Sequence, residues 1–455
     1  ATKFVANNSI YIMRRLLFIF SFLSLLVVDG KAQEVETLTL EDCLRIGIDN
    51  NLSLEGKRKE IQKSKYGVSE NRSKLLPQIT VIAGYNNNFD PPVSVTDGSS
   101  YGVPYNITKT LQHTANAGLE MQMPLFNQTL YTSMSIAKVM EEISRLSYGK
   151  AREDIIMQIS KMYYLGQVTA EQIVLIKANI TRLEELRDIT QAFFDNGMSM
   201  EVDLKRVNIN LENLKVQYDN AQAMMKQQLN MLKYIMDYPA EKEFVLTPVN
   251  TDSITTVALT GLSENIYELQ LSQSQVQLAE KQKKIISNGY IPSLSLTGSW
   301  RYAAYTDKGY HWFHSGPSNH WFRSYGLGLT LRIPIFDGLD KTYKIKKAMI
   351  DIENSKLAWE NARKSLQTQY LNAVNDLMNN QRNFKKQKDN YLLAEDVYTV
   401  TSDRYREGIA SMTEVLQDEM QMSEAQNNYI SAHYNYRITN LMLLKLTGQI
   451  ESLVK

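Results

Sequence analysis

The stretch YGLGLTLRIPIFDG, residues 325–338, alternates without a fault. Tyr325, Leu327, Leu329, Leu331 and Ile333 fall on one face, and Ser324, Gly326, Gly328, Thr330 and Arg332 on the other. A period of two is a strand. From Asp337 and Gly338 onward the chain runs to its end without another proline, in polar, helix-favouring sequence. A two-faced strand therefore feeds directly into a very long helix.

The same arrangement occurs twice. LLPQITVIAGY (75–85) recurs as YIPSLSLTGSW (290–300), and AGLEMQMPLFN (117–127) recurs as LGLTLRIPIFD (327–337). FFDNGMSMEVDL (193–204) answers RYREGIASMTEVL (404–416), and LNMLKYIM (229–236) answers TNLMLLKLTG (439–448). Four matches in one order mark an internal duplication, each unit reading strand, strand, long segment, glycine turn, shorter segment. Prolines 77, 124, 292 and 334 bracket the strand pairs, while 125–238 and 335–455 contain none. Proline in a helix interior costs about 3 kcal/mol, so two such stretches suit very long helices.

Apolar stripes support this reading. Leu204, Val207, Leu211, Leu214, Tyr218, Ala221 and Met225 step by three and four, which is a coiled-coil seam. Val415, Met422, Ala425, Tyr429, Ala432 and Tyr436 keep the same step with Asp418 interrupting, as do Trp359, Ala362, Leu366, Tyr370, Ala373 and Leu377. These stripes are packing surfaces. Residues 127–195 and 337–407 hold about 70 residues each, or roughly 105 Å of helix. Residues 38–76 and 199–238 hold about 40 each, so two shorter helices end to end match one long one. Helices of that length must lie side by side in a bundle or tube.

The other three strands repeat the opening pattern. Ile79, Val81, Ala83 and Tyr85 alternate with Thr80, Gly84 and Asn86, broken by Ile82. Ala115, Ala117, Leu119, Met121 and Met123 alternate with Thr114, Asn116, Gly118, Glu120 and Gln122; Leu294, Leu296, Trp300 and Tyr302 alternate with Ser295, Thr297, Ser299 and Arg301. Strands of this length and alternation suit a transmembrane barrel with a wet lumen. A soluble antiparallel sandwich alternates equally well, but the sequence holds no second sheet to cover the apolar face. Four strands cannot close a spanning barrel, which starts at about eight. Two chains give eight and three give twelve, and a polar face free of bulky side chains argues for the wider.

Length, charge and the N-terminus bound the rest. The 455 residues carry 50 basic and 49 acidic side chains, so charge makes no case for nucleic acid. A single cysteine, Cys43, excludes an intramolecular disulfide framework, and it is read as a small apolar residue of the first helix. Met13-Arg14-Arg15 precedes a 13-residue apolar run, Leu16–Val28, too short to span a bilayer, followed by small residues Gly30 and Ala32. This reads as a secretory signal peptide at 13–32, behind a leader, 1–12, whose translation the sequence does not decide.

Together these residues resemble the TolC-type outer-membrane efflux proteins over about 38–448. The carriers are LLPQITV…MPLFN…FFDNGMSMEVDL and YIPSLSL…RIPIFDG…YREGIASMTEVL. The resemblance implies a mixed α/β membrane protein with a long α-helical coiled-coil tunnel and a transmembrane β-barrel, four strands per chain and twelve in a homotrimer. It implies an outer-membrane location in a Gram-negative bacterium, with the helical part in the periplasm. Its implied partners are outer-membrane lipid, a periplasmic adaptor and an inner-membrane pump of RND, ABC or MFS type, and its implied function is a passive exit duct for efflux or type I secretion. The expected organisation is a first short helix (38–76), a first β-hairpin (77–126), a helical hairpin (127–238) with its tip near 197, an equatorial linker (239–261), a second short helix (262–290), a second β-hairpin (291–336) and a helical hairpin (337–448) with its tip near 408. The competing class is a secreted or surface coiled-coil structural or adhesive protein with a small β tip, against which stands the polar face kept on all four strands.

Glycines 197 and 408 permit the tight helix–helix turns. The resemblance adds that these tips, with the apolar Met198 and Ile409 beside them, contact the adaptor. Six residues past each glycine stands a carboxylate, Asp203 and Glu414. Asp203 reads as either a solvated helix face or a weaker aperture residue, whereas Glu414 corresponds to an acidic ring at the tunnel mouth. Three Glu414 carboxylates at one aperture would raise one another's pKa and favour cations. Tyr405 matches the family pattern at the aperture; Gln417, beside Asp418, replaces a second acid, and Ala410 replaces a gate-linked arginine. The histidine-bearing HWFHSGPSNHW (311–321) reads as a surface loop with interfacial aromatics rather than a metal site. No motif for catalysis, cofactor or phosphate binding occurs. The cargo is not legible, since a water-filled duct need not recognise what passes.

Overall fold

The structure, a computed structural model, describes residues 36–109, 111–248, 260–306 and 321–454. The expected signal peptide at 13–32, residues 249–259 of the expected equatorial linker, and His311, His314 and His320 lie outside the described residues. The chain begins with strand β1 (Glu36–Leu38) and helices α1 (Leu40–Asn50) and α2 (Leu52–Ser73). Strands β2 (Gln78–Asn87), β3 (Val93–Asp97), β4 (Tyr105–Lys109) and β5 (His113–Phe126) follow. Helices α3 (Gln128–Asp195) and α4 (Glu201–Met236) complete the first repeat, and β6 (Phe244–Leu246) ends it. The second repeat is α5 (Tyr267–Asn288), β7 (Ser293–Thr306), β8 (Trp321–Arg332), α6 (Asp340–Arg406) and α7 (Met412–Leu446).

The duplication shows in the lengths: 68 and 67 residues for α3 and α6, 36 and 35 for α4 and α7, 22 each for α2 and α5. The two long helices are therefore rods of about 100 Å. Near the sheet, the order of packed neighbours is α2, α3, α5, α6; at the far end it is α4, α3, α7, α6. Each long helix is thus flanked by two shorter ones that succeed each other along its length.

Local chemistry sets the boundaries. Asn127, ending the MPLFN motif, caps α3 by accepting from the Thr129 N–H at 3.0 Å and the Leu130 N–H at 3.4 Å. Asp337, ending RIPIFD, does the corresponding work at α6, accepting from the Lys341 N–H at 3.2 Å and pairing with its Nζ at 3.0 Å. Pro124 has no N–H to donate, and the β5–β7 register slips between Pro124 and Phe126.

Three expected elements differ. The first short helix is broken at Asn51, whose Oδ1 accepts from the Ser53 and Leu54 N–H groups and starts α2, while its Nδ2 donates to the Ile235 carbonyl at 2.7 Å. Asn at that position is both a helix start and an anchor to the end of α4. The second short helix begins at Tyr267 rather than 262, because residues 260–266 are not helical. The first β-hairpin carries a second antiparallel hairpin, β3–β4, between its strands β2 and β5, pairing Val93 with Lys109 through Asp97 with Tyr105.

The seams are where the stripes placed them. Val207, Leu211, Leu214 and Ala221 on α4, and Val415, Met422, Ala425 and Tyr429 on α7, are buried. So are Leu366, Tyr370, Ala373 and Leu377 on α6. A separate core at mid-length gathers Leu38, Cys43, Leu44, Ile156, Ile159, Leu232 and Met236, closed over by the parallel β1–β6 pair. Cys43 is fully enclosed there, and burial pushes its thiol up to about 12, so it packs as an apolar residue and does not react.

Leu211 is 2% exposed, whereas Glu212 beside it faces water and pairs with Lys215. Leu211→Ala is expected to cost about 2–5 kcal/mol in local opening of the α3/α4 hairpin, and Glu212→Ala under about 0.5 kcal/mol. Native-state amide exchange over 207–218 reads both.

Candidate functional site

Two surfaces combine the residues that matter, a four-stranded sheet at one end and the paired helix tips at the other. The sheet has the order β2-β5-β7-β8, antiparallel throughout. Register aligns Ile79, Met121, Gly298 and Leu327 in one row and Val81, Leu119, Trp300 and Tyr325 in the next, all on one face. The opposite face aligns Thr80, Glu120, Ser299 and Gly326, and Gln78, Gln122, Thr297 and Gly328. On that polar face Arg301 donates to the Glu120 carboxylate at 2.6 Å, and a hollow of about 620 Å³ opens between the strands.

The apolar face is bare. On β8, Tyr325 and Leu327 are 77% and 80% exposed. Among the described residues, β2 and β8 each have a neighbouring strand on one side only, so the sheet has two open edges. Among the described residues no helix is long and apolar enough to cross a membrane. A strand edge with an apolar face on one side and a wet polar face on the other is the geometry of an incomplete barrel wall.

At the other end, α3 and α6 each stop in the same way. Gly197 at φ 73° and Gly408 at φ 77° adopt the left-handed conformation. The N–H groups of Gly197 and Met198 donate back to the Phe194 and Phe193 carbonyls at 2.9 and 2.8 Å. Those of Gly408 and Ile409 donate to Tyr405 and Arg404 at 2.9 and 2.8 Å. This paired closure satisfies the last carbonyls of each helix and favours a residue without a Cβ at the left-handed turn position. It leaves Met198 and Ile409 projecting, 68% and 63% exposed, where water would favour polar side chains.

The two tips share one cleft of about 580 Å³, lined by Phe193, Met198, Met200, Asp203, Tyr405, Ala410, Met412 and Thr413 among others. Arg206 spans it, donating to Asp203 at 3.3 Å on its own helix and to Thr413 Oγ1 at 3.3 Å on the other. Arg406 pairs with Glu185 of the first hairpin at 3.5 Å. Tyr405, though it borders the cleft, is largely buried within the chain: it is 6% exposed, its ring lies 5.7 Å from that of Phe193, and its hydroxyl shares a hydrogen bond with Thr190 at 3.3 Å. Within one chain it packs the two hairpins against each other. Asp203 is half-buried, Gln417 exposed and Asp418 half-buried, and the last two lie outside the shared cleft.

Glu414 has work within its own chain. Its Oε2 accepts from the Ser411 backbone N–H at 2.8 Å and from Ser411 Oγ at 3.1 Å, while Ser411 Oγ accepts from the Glu414 N–H at 3.3 Å. This is a capping box at the start of α7, legible in the sequence as Ser-x-x-Glu at 411–414. The Ser411 N–H, then its hydroxyl, hold the Glu414 carboxyl below its usual range, the opposite direction to that of a like-charge ring. Also not anticipated are the ties higher up, where Asn179 meets Gln426 at 2.7 Å and Arg182 pairs with Glu395 at 2.5 Å; only their positions on facing helices, invisible in sequence, unite them.

Comparison with known proteins follows this geometry. A family model described as outer membrane efflux protein matches residues 46–236 and 252–449. Outer membrane protein TolC of Vibrio cholerae is 21% identical over 396 residues, covering 84% of each chain. A solved structure of CusC superposes with a TM-score of 0.75 at 15% identity, covering 92% of this chain and 94% of that one. The Campylobacter jejuni CmeC outer membrane channel gives 0.73 at 17% identity, covering 90% and 85%.

Because Glu414 has a depressed pKa, its cap is in place above the ordinary carboxylate value and is lost as pH falls through the lower folded value. Amide exchange at residues 411–416 is expected to quicken as acidification passes below the ordinary carboxylate range, and Ser411→Ala to give the same fraying at neutral pH. Gly408→Ala forces a Cβ into the left-handed region and is expected to cost about 1–2 kcal/mol at the tip, read by the same exchange.

Proposed function

The chain belongs to the outer membrane efflux protein family, and we propose that three copies close into one duct running from the outer membrane through the periplasm. The observation that carries this is the four-stranded sheet with two open edges, a bare apolar face and a polar, concave one. Lipid offers no partner to an unpaired backbone, so β2 of one chain must pair with β8 of the next until the ring closes. Their directions permit it: alternation along β2-β5-β7-β8 makes β8 of one chain antiparallel to β2 of its neighbour. Twelve strands leave a lumen wide enough for the hydrated Glu120–Arg301 wall.

The helices continue the wall. In each chain the α3/α4 and α6/α7 hairpins carry the duct away from the sheet, and three chains set six tips around its far end. Gly197, Met198, Gly408 and Ile409 form the ring of tips, with exposed apolar side chains that fit a docking periplasmic adaptor working with an inner-membrane pump. Glu414, Gln417 and Asp418 of the second hairpin narrow the mouth, with Asp203 contributing less. Tyr405, bordering the cleft at the mouth, also acts as a strut between the two hairpins. Movement through the duct is passive and no catalytic residue is proposed. A secreted coiled-coil adhesin would have no use for a polar concave sheet face.

Electron microscopy of the detergent-solubilised protein is expected to show a three-fold particle about 135 Å long, from ~100 Å of helix and ~30–35 Å of strand. Compact monomers or solid rods would overturn the reading. Met198→Asp and Ile409→Asp are expected to weaken capture of a purified adaptor without altering the particle.

A further inference from the structure

Among the buried polar side chains of the α6/α7 hairpin, one carboxylate breaks the logic of the seam. Counted from the tip glycines, Val207 stands ten residues after Gly197 and Asp418 ten after Gly408, so the second seam lacks the valine of the first. The helix fills the place with its neighbour, Glu419, which is 5% exposed and whose Oε1 has no hydrogen-bond partner. One turn towards the tip on α7 lie Val415 and Leu416, and one turn away lies Met422, all in the same apolar cluster.

The charged and titratable groups around it are few and occupied. From α6, Tyr398 is buried, and its phenol is raised by burial first and then by the Glu419 carboxylate. Arg406, also of α6, pairs with Asp403 and Glu185. From α3, Arg182 is committed to Glu395 and Asn179. On its own helix, Asp418 adds only like charge. No cation compensates Glu419, and burial alone pushes its carboxyl up from the ordinary 4.5 to about 6.

We propose that Glu419 is a proton-operated wedge that couples periplasmic acidity to the width of the duct's lower end. Neutral, it packs as part of the α6/α7 seam and keeps the second hairpin closed on the first. Ionised, it is a buried charge with no partner, and the hairpin relieves it by loosening below that level and admitting water to the carboxylate. The sign follows from the direction of the shift. A carboxyl whose folded value is raised lends its packing fully below the unfolded value near 4.5, and loses it as pH rises through about 6. The lower duct is therefore tight in acid and loosened near neutrality, the reverse of the Glu414 cap, which acid releases. The inference deepens the duct reading and rests on it only for its consequence, the change in width.

The experiment compares the wild-type trimer, Glu419→Gln and a control on the exposed face of the same helix, Glu424→Gln, at about pH 5 and about pH 7.5. Amide exchange over 398–406 and 412–425, corrected for intrinsic rate, is expected to quicken on the order of tenfold at the higher pH in wild type and in the control. Glu419→Gln is expected to stay at the slow value at both. Single-channel conductance of the same three proteins in planar bilayers is expected to rise with pH in the same pair and to stay flat in Glu419→Gln. The proposal falls if Glu419→Gln keeps the wild-type pH profile, or if wild type is equally protected at both pH values; the second comparison needs no variant to assemble. Trimers that show the exchange response but conduct at neither pH would retain the proton response and remove the duct reading instead.

Discussion

An unpaired strand edge has no place in lipid, and most of this structure answers to that constraint. A four-stranded sheet with open edges at β2 and β8 cannot remain in a bilayer core, where lipid offers no hydrogen-bonding partner. In the proposed duct the chain depends on copies of itself, and the dependence reaches beyond the sheet. Each strand pair leads straight into a helix of nearly 70 residues, so whatever symmetry closes the barrel is imposed on the helices as well. The polar caps at Asn127 and Asp337 are the joints at which one hydrogen-bonding pattern becomes the other.

Much of this is written plainly in the sequence, because the features involved are periodic. Alternation over ten residues and a three-four stripe over twenty survive any local disturbance, and the absence of proline from 125–238 and 335–455 leaves little but helix. The duplication doubles every signal. What escapes is aperiodic or lies between elements. The break at Asn51 depends on one side chain reaching both the start of α2 and the end of α4. The β3–β4 hairpin hides in a loop rich in Gly, Pro, Asn and Ser. Tyr405 looks like a surface residue in a one-dimensional pattern and is a buried one in three, because its partner Thr190 is more than two hundred residues away.

The tip shows how one residue can carry two readings. Glu414 stands where a ring of carboxylates would narrow a mouth, and the same position is N3 of α7, where a carboxylate completes a cap. The first repeat has Met200 at its N-cap, with no side-chain bond, and leaves Asp203 to Arg206. The two hairpins are thus copies in backbone and not in chemistry, the second being better fastened at its start and worse packed at Glu419.

The near-equality of helix lengths between the repeats restricts how such a chain can change. One residue inserted into α3 or α6 turns everything beyond it by about 100°, which carries a buried stripe round to water. Such an insertion in one copy also displaces its tip from the level of the other by about 1.5 Å. Drift in length is therefore filtered twice, by facing and by level, and the tolerated sites are the turns and external loops. Divergence within the helices must proceed by substitution, which accounts for two halves whose outlines coincide while few of their residues do.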